Sequence, residues 1–128
     1  MNKLKYKIYY ADGGGSNVPD ILDHNLDINI VFEDGRVFVI TFFTLANVGR
    51  LMNNANDGCI FHFWASDMVI IRDMLPETIE CAVREMVASN HIQKMGTYIG
   101  TLNEVFSGRD KLLTFDTFPH MASHWDDI

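Results

Sequence analysis

The sequence predicts an α+β domain: an antiparallel sheet of about five strands, a meander of hairpins, with two or three helices packed on it. Three stretches predict it. Asp34-Gly35 lies between two runs of alternating residues, Asp27–Glu33 and Val37–Phe43, the strongest short-range signal for a hairpin. Cys59–Trp64 and Met68–Ile71 are short apolar runs, rich in β-branched and aromatic residues, around Ala65-Ser66-Asp67. They predict a second hairpin, central in the sheet because both faces of each run are apolar. Pro76 opens a helix whose buried stripe is Ile79, Ala82, Val83, Met86 and Val87, at the spacing of one helical face.

In chain order, Lys3, Lys5 and Lys7 alternate with Leu4, Tyr6, Ile8 and Tyr10. That predicts a strand with a charged face, of the kind that guards a sheet edge. Ala11–Asn17, with three successive glycines, is a loop, and Pro19 starts a helical turn with Ile21 and Leu22 facing in. In the first hairpin a two-residue turn sets Glu33 opposite Arg36 and Phe32 opposite Val37. Val37–Phe43 is apolar on both sides, so each side is covered. Thr44 caps a helix to Asn53 with Leu45, Val48, Leu51 and Met52 on one face. In the helix from Pro76, Glu80 and Arg84 form an i, i+4 pair. Tyr98–Phe106 reads as a helix with Ile99, Leu102, Val105 and Phe106 inward, Leu112–Phe118 as a final strand, and Ser123–Ile128 as a tail.

The length of 128 residues fits a single domain, residues 1–128. No apolar run is long enough for a membrane span, and the short stretch after Met1–Lys7 is no signal peptide. Cys59 and Cys81 read as two buried or half-buried thiols. A reduced, cytoplasmic protein is expected. The net charge of −7 disfavours nucleic acid, whose binding needs cations to displace counterions. Residues 8–35 hold six acids and no Lys or Arg. They form either a solvated face or a docking surface for a basic partner.

Catalytic signals are sparse. Gly13-Gly14-Gly15-Ser16 lacks the Gly-Lys-Ser/Thr ending of a phosphate-binding loop. His120 and His124 have metal-compatible i, i+4 spacing but no evident third ligand. His62, between Phe61 and Phe63, reads as a hydrogen-bonded structural histidine. No cofactor, metal or catalytic residue is assigned. The Trp64–Asp67 turn and the aromatics Phe115, Phe118 and Trp125 are candidate partner anchors, with Phe115 better read as core.

The run Asp20-Ile-Leu-Asp-His-Asn-Leu-Asp-Ile-Asn-Ile-Val-Phe-Glu-Asp-Gly-Arg-Val-Phe carries a resemblance, continued by Phe63-Trp-Ala-Ser-Asp-Met-Val-Ile-Ile-Arg-Asp and Leu75-Pro-Glu-Thr-Ile-Glu-Cys-Ala-Val. In layout it resembles the small bacterial immunity proteins of toxin–immunity pairs, including contact-dependent growth inhibition systems. The likeness covers roughly residues 20–90. It implies a non-enzymatic inhibitor that binds a cognate toxin domain, often a nuclease, and blocks its active site or substrate surface. These proteins share no motif from which site residues could be carried over.

On charge and expected exposure, the toxin-binding residues are Asp12, Asp20, Asp23, Glu33 and Asp34, with Tyr10 and Trp125 as apolar anchors. The partner is then a basic toxin domain, with no nucleic acid and no membrane. Two alternatives stand beside it: a self-associating structural or regulatory domain that dimerises through Val37–Phe43, and a small histidine-dependent enzyme using His62 or the His120/His124 pair.

Overall fold

The computed structural model describes residues 4–11, 18–54, 62–108, 111–123 and 128. The elements are β1 (Tyr6–Tyr10), β2 (Asn25–Phe32), β3 (Arg36–Phe43), α1 (Leu45–Asn53), β4 (Met68–Ile70), α2 (Pro76–Ala88), α3 (Ile92–Met95), β5 (Thr97–Thr101) and α4 (Leu102–Val105). Among the described residues the class is α+β with five strands, and three of the four pairings are antiparallel. The fourth is parallel: β4 runs alongside β3. It is reached from β3 through α1, and a parallel neighbour needs such a crossover.

Among the described residues the second predicted hairpin does not form, and the Cys59–Phe61 part of its first strand lies outside them. His62–Ala65 is irregular and only Met68–Ile70 is a strand, so β4 lies at the sheet's edge and not at its centre. The first hairpin forms in a different register. Val31, not Phe32, lies opposite Val37, and Ile30 opposite Phe38. Glu33-Asp34-Gly35 is therefore a three-residue loop, closed by the Gly35 N–H donating to the Phe32 carbonyl at 2.9 Å. Gly35 has φ +93°, the left-handed residue that such a loop requires. Arg36 consequently pairs with Asp34 at 2.9 Å, while Glu33 accepts from the Lys5 backbone N–H.

The register decides which side chains share a face. Leu26, Ile28, Ile30 and Phe32 lie with Phe38, Ile40 and Phe42 and are covered by Ile79, Val83 and Met86 of α2 and Ile92 of α3. On the other face, Tyr9, Val31 and Val37 pack under Leu102 and Phe106 beside Phe118. The Tyr9 ring meets Phe106 and Phe118 edge-on at 5.2 and 6.0 Å.

Three further expectations are corrected. Tyr98–Phe106 is strand and then helix, because Gly100 (φ +133°) and the Thr101/Glu104 capping box start α4 afresh. Leu112–Phe118 contains turns and no strand. Pro19–Asp23 is a turn, stapled by the Leu22 N–H donating to the Asp20 carboxylate, and it leaves Ile21 and Leu22 exposed. The outer edge of β1 is sealed by the C-terminal segment. The Met121 N–H donates to the Ile8 carbonyl, the Tyr10 N–H to the Ala122 carbonyl, and Lys7 Nζ to the Phe115 carbonyl.

Candidate interaction surface

At the end of the sheet where β3 finishes, apolar side chains face solvent together. Ile70 pairs in register with Phe43, and the Phe63 ring meets Phe43 edge-on at 5.4 Å. The next residue, Trp64, is 73% exposed, and Leu45, two residues past Phe43, is 74% exposed. Trp64 projects because His62–Ala65 is irregular chain that packs Phe63 and leaves its neighbour out. Leu45 was expected inside. As the first residue of α1 it points away, and the helix buries Asn47 instead. Asn47 is satisfied there, accepting from Asn25 Nδ2 at 2.9 Å and donating to Asp23 at 3.0 Å. Exposed Leu22 lies on the turn that leads to Asp23 and β2. Four large exposed apolar side chains thus lie on segments that reach the same end of the sheet, the kind of exposure that marks an interaction surface.

Two of the expected binding acids, Asp20 and Asp23, sit at this end. Glu33 and Asp34 sit at the other end of β2, which advances about 23 Å from Asn25 to Phe32. The acids therefore do not form one patch. Several are also engaged within the chain. Asp23 takes Arg50 Nε at 2.8 Å, and that guanidinium, followed by the Asn47 amide, holds its carboxyl below the usual carboxylate range. Asp34 is neutralised by Arg36.

Tyr10 is no surface anchor. It is 3% exposed within the α2-facing core, because β1 turns it to the same face as Ile8. Its hydroxyl is buried without a hydrogen-bond partner among the described residues. Burial, and then the Glu80 carboxylate, push its phenol up to about 12. Asp12, Trp125, His124, Cys59 and the Gly13–Ser16 loop lie outside the described residues. Phe118 is core, while Cys81, expected to be at least half-buried, is exposed on α2.

No family model, curated protein or solved structure matches the chain.

The histidines divide sharply. His62 is exposed in irregular chain, not buried in a central strand. His120 Nδ1 accepts the Ile8 backbone N–H at 3.2 Å, and its Nε2 lies 2.9 Å from Glu80 Oε1. This pattern assigns the proton to Nε2 and engages both ring nitrogens. Glu80 thus takes His120 as its partner, rather than the expected Arg84. A general base needs one nitrogen free toward its substrate; this imidazole instead fastens the C-terminal segment to β1 and α2. Among the described residues no group of three or more His, Cys, Asp or Glu is placed to hold a metal, and no helix is long and apolar enough to cross a membrane.

What the sequence reading under-weighted is Ile70 and Leu45. Each belongs to an apolar pattern that suggests burial, and only their positions at element ends betray them.

Proposed function

We propose that the chain is an immunity protein: a cytoplasmic, non-enzymatic inhibitor that binds a cognate bacterial toxin domain of the nuclease kind. The observation that carries the reading is the exposed Trp64, with Ile70 and Leu45 around the Phe43 position and the Asp20–Asp23 turn at the same end. An exposed indole at the same end of the sheet as exposed aliphatic side chains has the composition of a binding hot spot, and acids at that end favour a basic partner. The acidic chain, at net charge −7, suits a protein that meets a nucleic-acid-binding surface. Less supports the alternative of a dimer through Val37–Phe43. That strand is the centre of the sheet, with Val37, Phe38, Ile40, Phe42 and Phe43 buried by the chain's own elements.

The test is capture of a partner by the tagged protein from its host, at low and then high salt. The expected product is a stoichiometric complex with a basic protein that is toxic when expressed alone and harmless with this chain. Trp64→Ala should weaken the complex by at least about 30-fold, the loss of a hot-spot aromatic, with unchanged thermal stability. A chain that protects against no co-encoded toxin, or a complex indifferent to Trp64→Ala, refutes the proposal or its surface respectively.

A further inference from the structure

We infer that the free edge of β4 is a strand-addition site, which takes an extended segment of the partner polypeptide with apolar residues alternating with Lys or Arg. The inference deepens the immunity reading and rests on it for the partner's identity, though not for the geometry.

Sheet edges offer unpaired backbone donors and acceptors, and proteins usually blunt them. Here two edges are blunted. The outer edge of β1 is covered by Met121 and Ala122, and β5 carries a bulge where its pairing with β3 shifts between Val37 and Phe38. The third edge, β4, has neither device among the described residues. Its sequence, Met68-Val69-Ile70, holds no charge and no proline, and among the described residues only β3 pairs with it. Thr41 N–H donates to the Asp67 carbonyl at 2.9 Å, and Ile71 N–H to the Phe43 carbonyl at 2.8 Å. The odd-numbered residues therefore turn their peptide groups to β3. Met68 and Ile70 turn theirs outward, at the spacing an added strand requires.

Both faces of that edge are prepared for side chains. Toward α2, two adjoining shallow hollows of about 330 and 270 Å³ share Ala82 and Glu85 and are floored by Ile71, Val69 and Met86. They run from Glu77 to Ser89, about 18 Å of helix, which matches five or six extended residues. Toward the other face stands the exposed Ile70, in register with Phe43, which carries the Phe63 ring. Successive side chains of an added strand would fall alternately into the groove and over Ile70. Charge selects the segment further. Glu77 and Glu85, both exposed and eight residues apart on α2, flank the groove and form no ion pair with a described residue, whereas Arg72 at its rim is held by Asp73 at 3.0 Å. Strand addition with a side-chain pocket is an established mode of peptide capture.

The experiment begins with amide exchange in the free protein, followed by NMR. The Met68 and Ile70 amides should exchange fast and the Val69 amide slowly; protection of Met68 and Ile70 in the free chain overturns the inference. Next, a phage-displayed random heptapeptide library is panned against the immobilised chain, and the most enriched peptide is synthesised. The expected peptide alternates apolar and basic residues and slows exchange at Met68 and Ile70 at least tenfold, with Val69 unchanged. N-methylation of the peptide amides that face β4 should weaken binding at least tenfold, and methylation of the intervening amides should not. Failure to enrich any peptide, or binding that leaves Met68 and Ile70 unprotected, overturns the proposal. So does a concentration-dependent dimer abolished by Ile70→Pro, which would make a second copy the occupant. A captured toxin whose affinity survives Ile70→Pro in a variant with native circular dichroism overturns strand addition and leaves the immunity reading standing. Peptide-induced protection of β4 in a chain that neutralises no toxin does the reverse.

Discussion

Tyr10→Phe tests how the core is built, through a hydroxyl that is sealed among apolar side chains with no partner among the described residues. An unfolded tyrosine titrates near 10, and Tyr10 in the fold titrates at about 12 because burial, and then Glu80, oppose the phenolate. The folded state therefore keeps a proton that the unfolded chain gives up. Stability is fully present below pH 10 and falls as the pH rises toward 12. At about 1.4 kcal/mol per decade, the span of two decades is worth about 2–3 kcal/mol, about half of it lost by pH 11. Tyr6 is raised as well, by burial first and Glu80 second, so the comparison of parent with variant isolates Tyr10. At pH 7 the substitution deletes an unsatisfied buried group, and stability should hold or rise by up to about 1.5 kcal/mol, which is about 5–6 °C in Tm. Urea midpoints at pH 7, 9, 10 and 11 for both proteins give the comparison. The variant should lose less stability than its parent between pH 9 and 11. A drop of more than about 1 kcal/mol at pH 7 would show that the hydroxyl is bonded, and equal alkaline slopes would show that the phenol is not shielded. Binding of any partner should be untouched, because the ring is not on the surface.

Gly35→Ala should destabilise by about 1–2 kcal/mol in chemical denaturation, since an alanine at φ +93° is strained although nothing lies within 4 Å of its Cβ; a neutral result would mean that the three-residue loop can be rebuilt. Arg50→Met removes the cation that holds down the Asp23 carboxyl. A depressed carboxylate contributes stability above its ordinary value of 3.8 that is lost as the pH falls through its folded value, so the parent's advantage at pH 7 should close on acidification below about pH 4. A gap that is constant across an acid titration followed by fluorescence would assign the effect to packing of the arginine stem.

The sequence discloses what is locally encoded. The stripe Ile79, Val83, Met86 behind Pro76 predicts α2 to within a residue, because propensity, capping and period agree there. The first hairpin is equally visible, but its register is not. Asp-Gly serves two-residue and three-residue loops alike, and only the φ of Gly35 separates them. Non-local pairing leaves no such trace. That β4 joins β3 in parallel depends on the path of α1, and the run His62–Ala65 looks like strand until Phe63 is spent on Phe43. The C-terminal segment is harder still. Lys7 on the Phe115 carbonyl, His120 between Ile8 and Glu80, and Phe118 beside Tyr9 involve no periodicity at all. For the candidate surface, the acids at Asp20 and Asp23 were legible by type, but the pairing of Asp23 with an arginine 27 residues on was not.

Those internal pairings relocate the functional meaning of the charge. Asp23, Asp34 and Asp73 each meet an arginine, Asp20 closes its own turn, and Glu104 caps α4. A carboxylate already opposed by a guanidinium contributes little field at a distance, so the cluster between residues 8 and 35 is a weaker lure than its count suggests. Glu77 and Glu85 are different: exposed on α2 beside the open edge of β4 and without an ion pair among the described residues. Charge reversal there, Glu77→Lys with Glu85→Lys, should slow association with a basic partner and flatten its dependence on salt, whereas Asp23→Lys should act chiefly on stability through Arg50. If stopped-flow association instead responds to Asp20 and Asp23 and ignores the α2 pair, the partner approaches the turn before β2, and the edge of β4 has no part in the encounter.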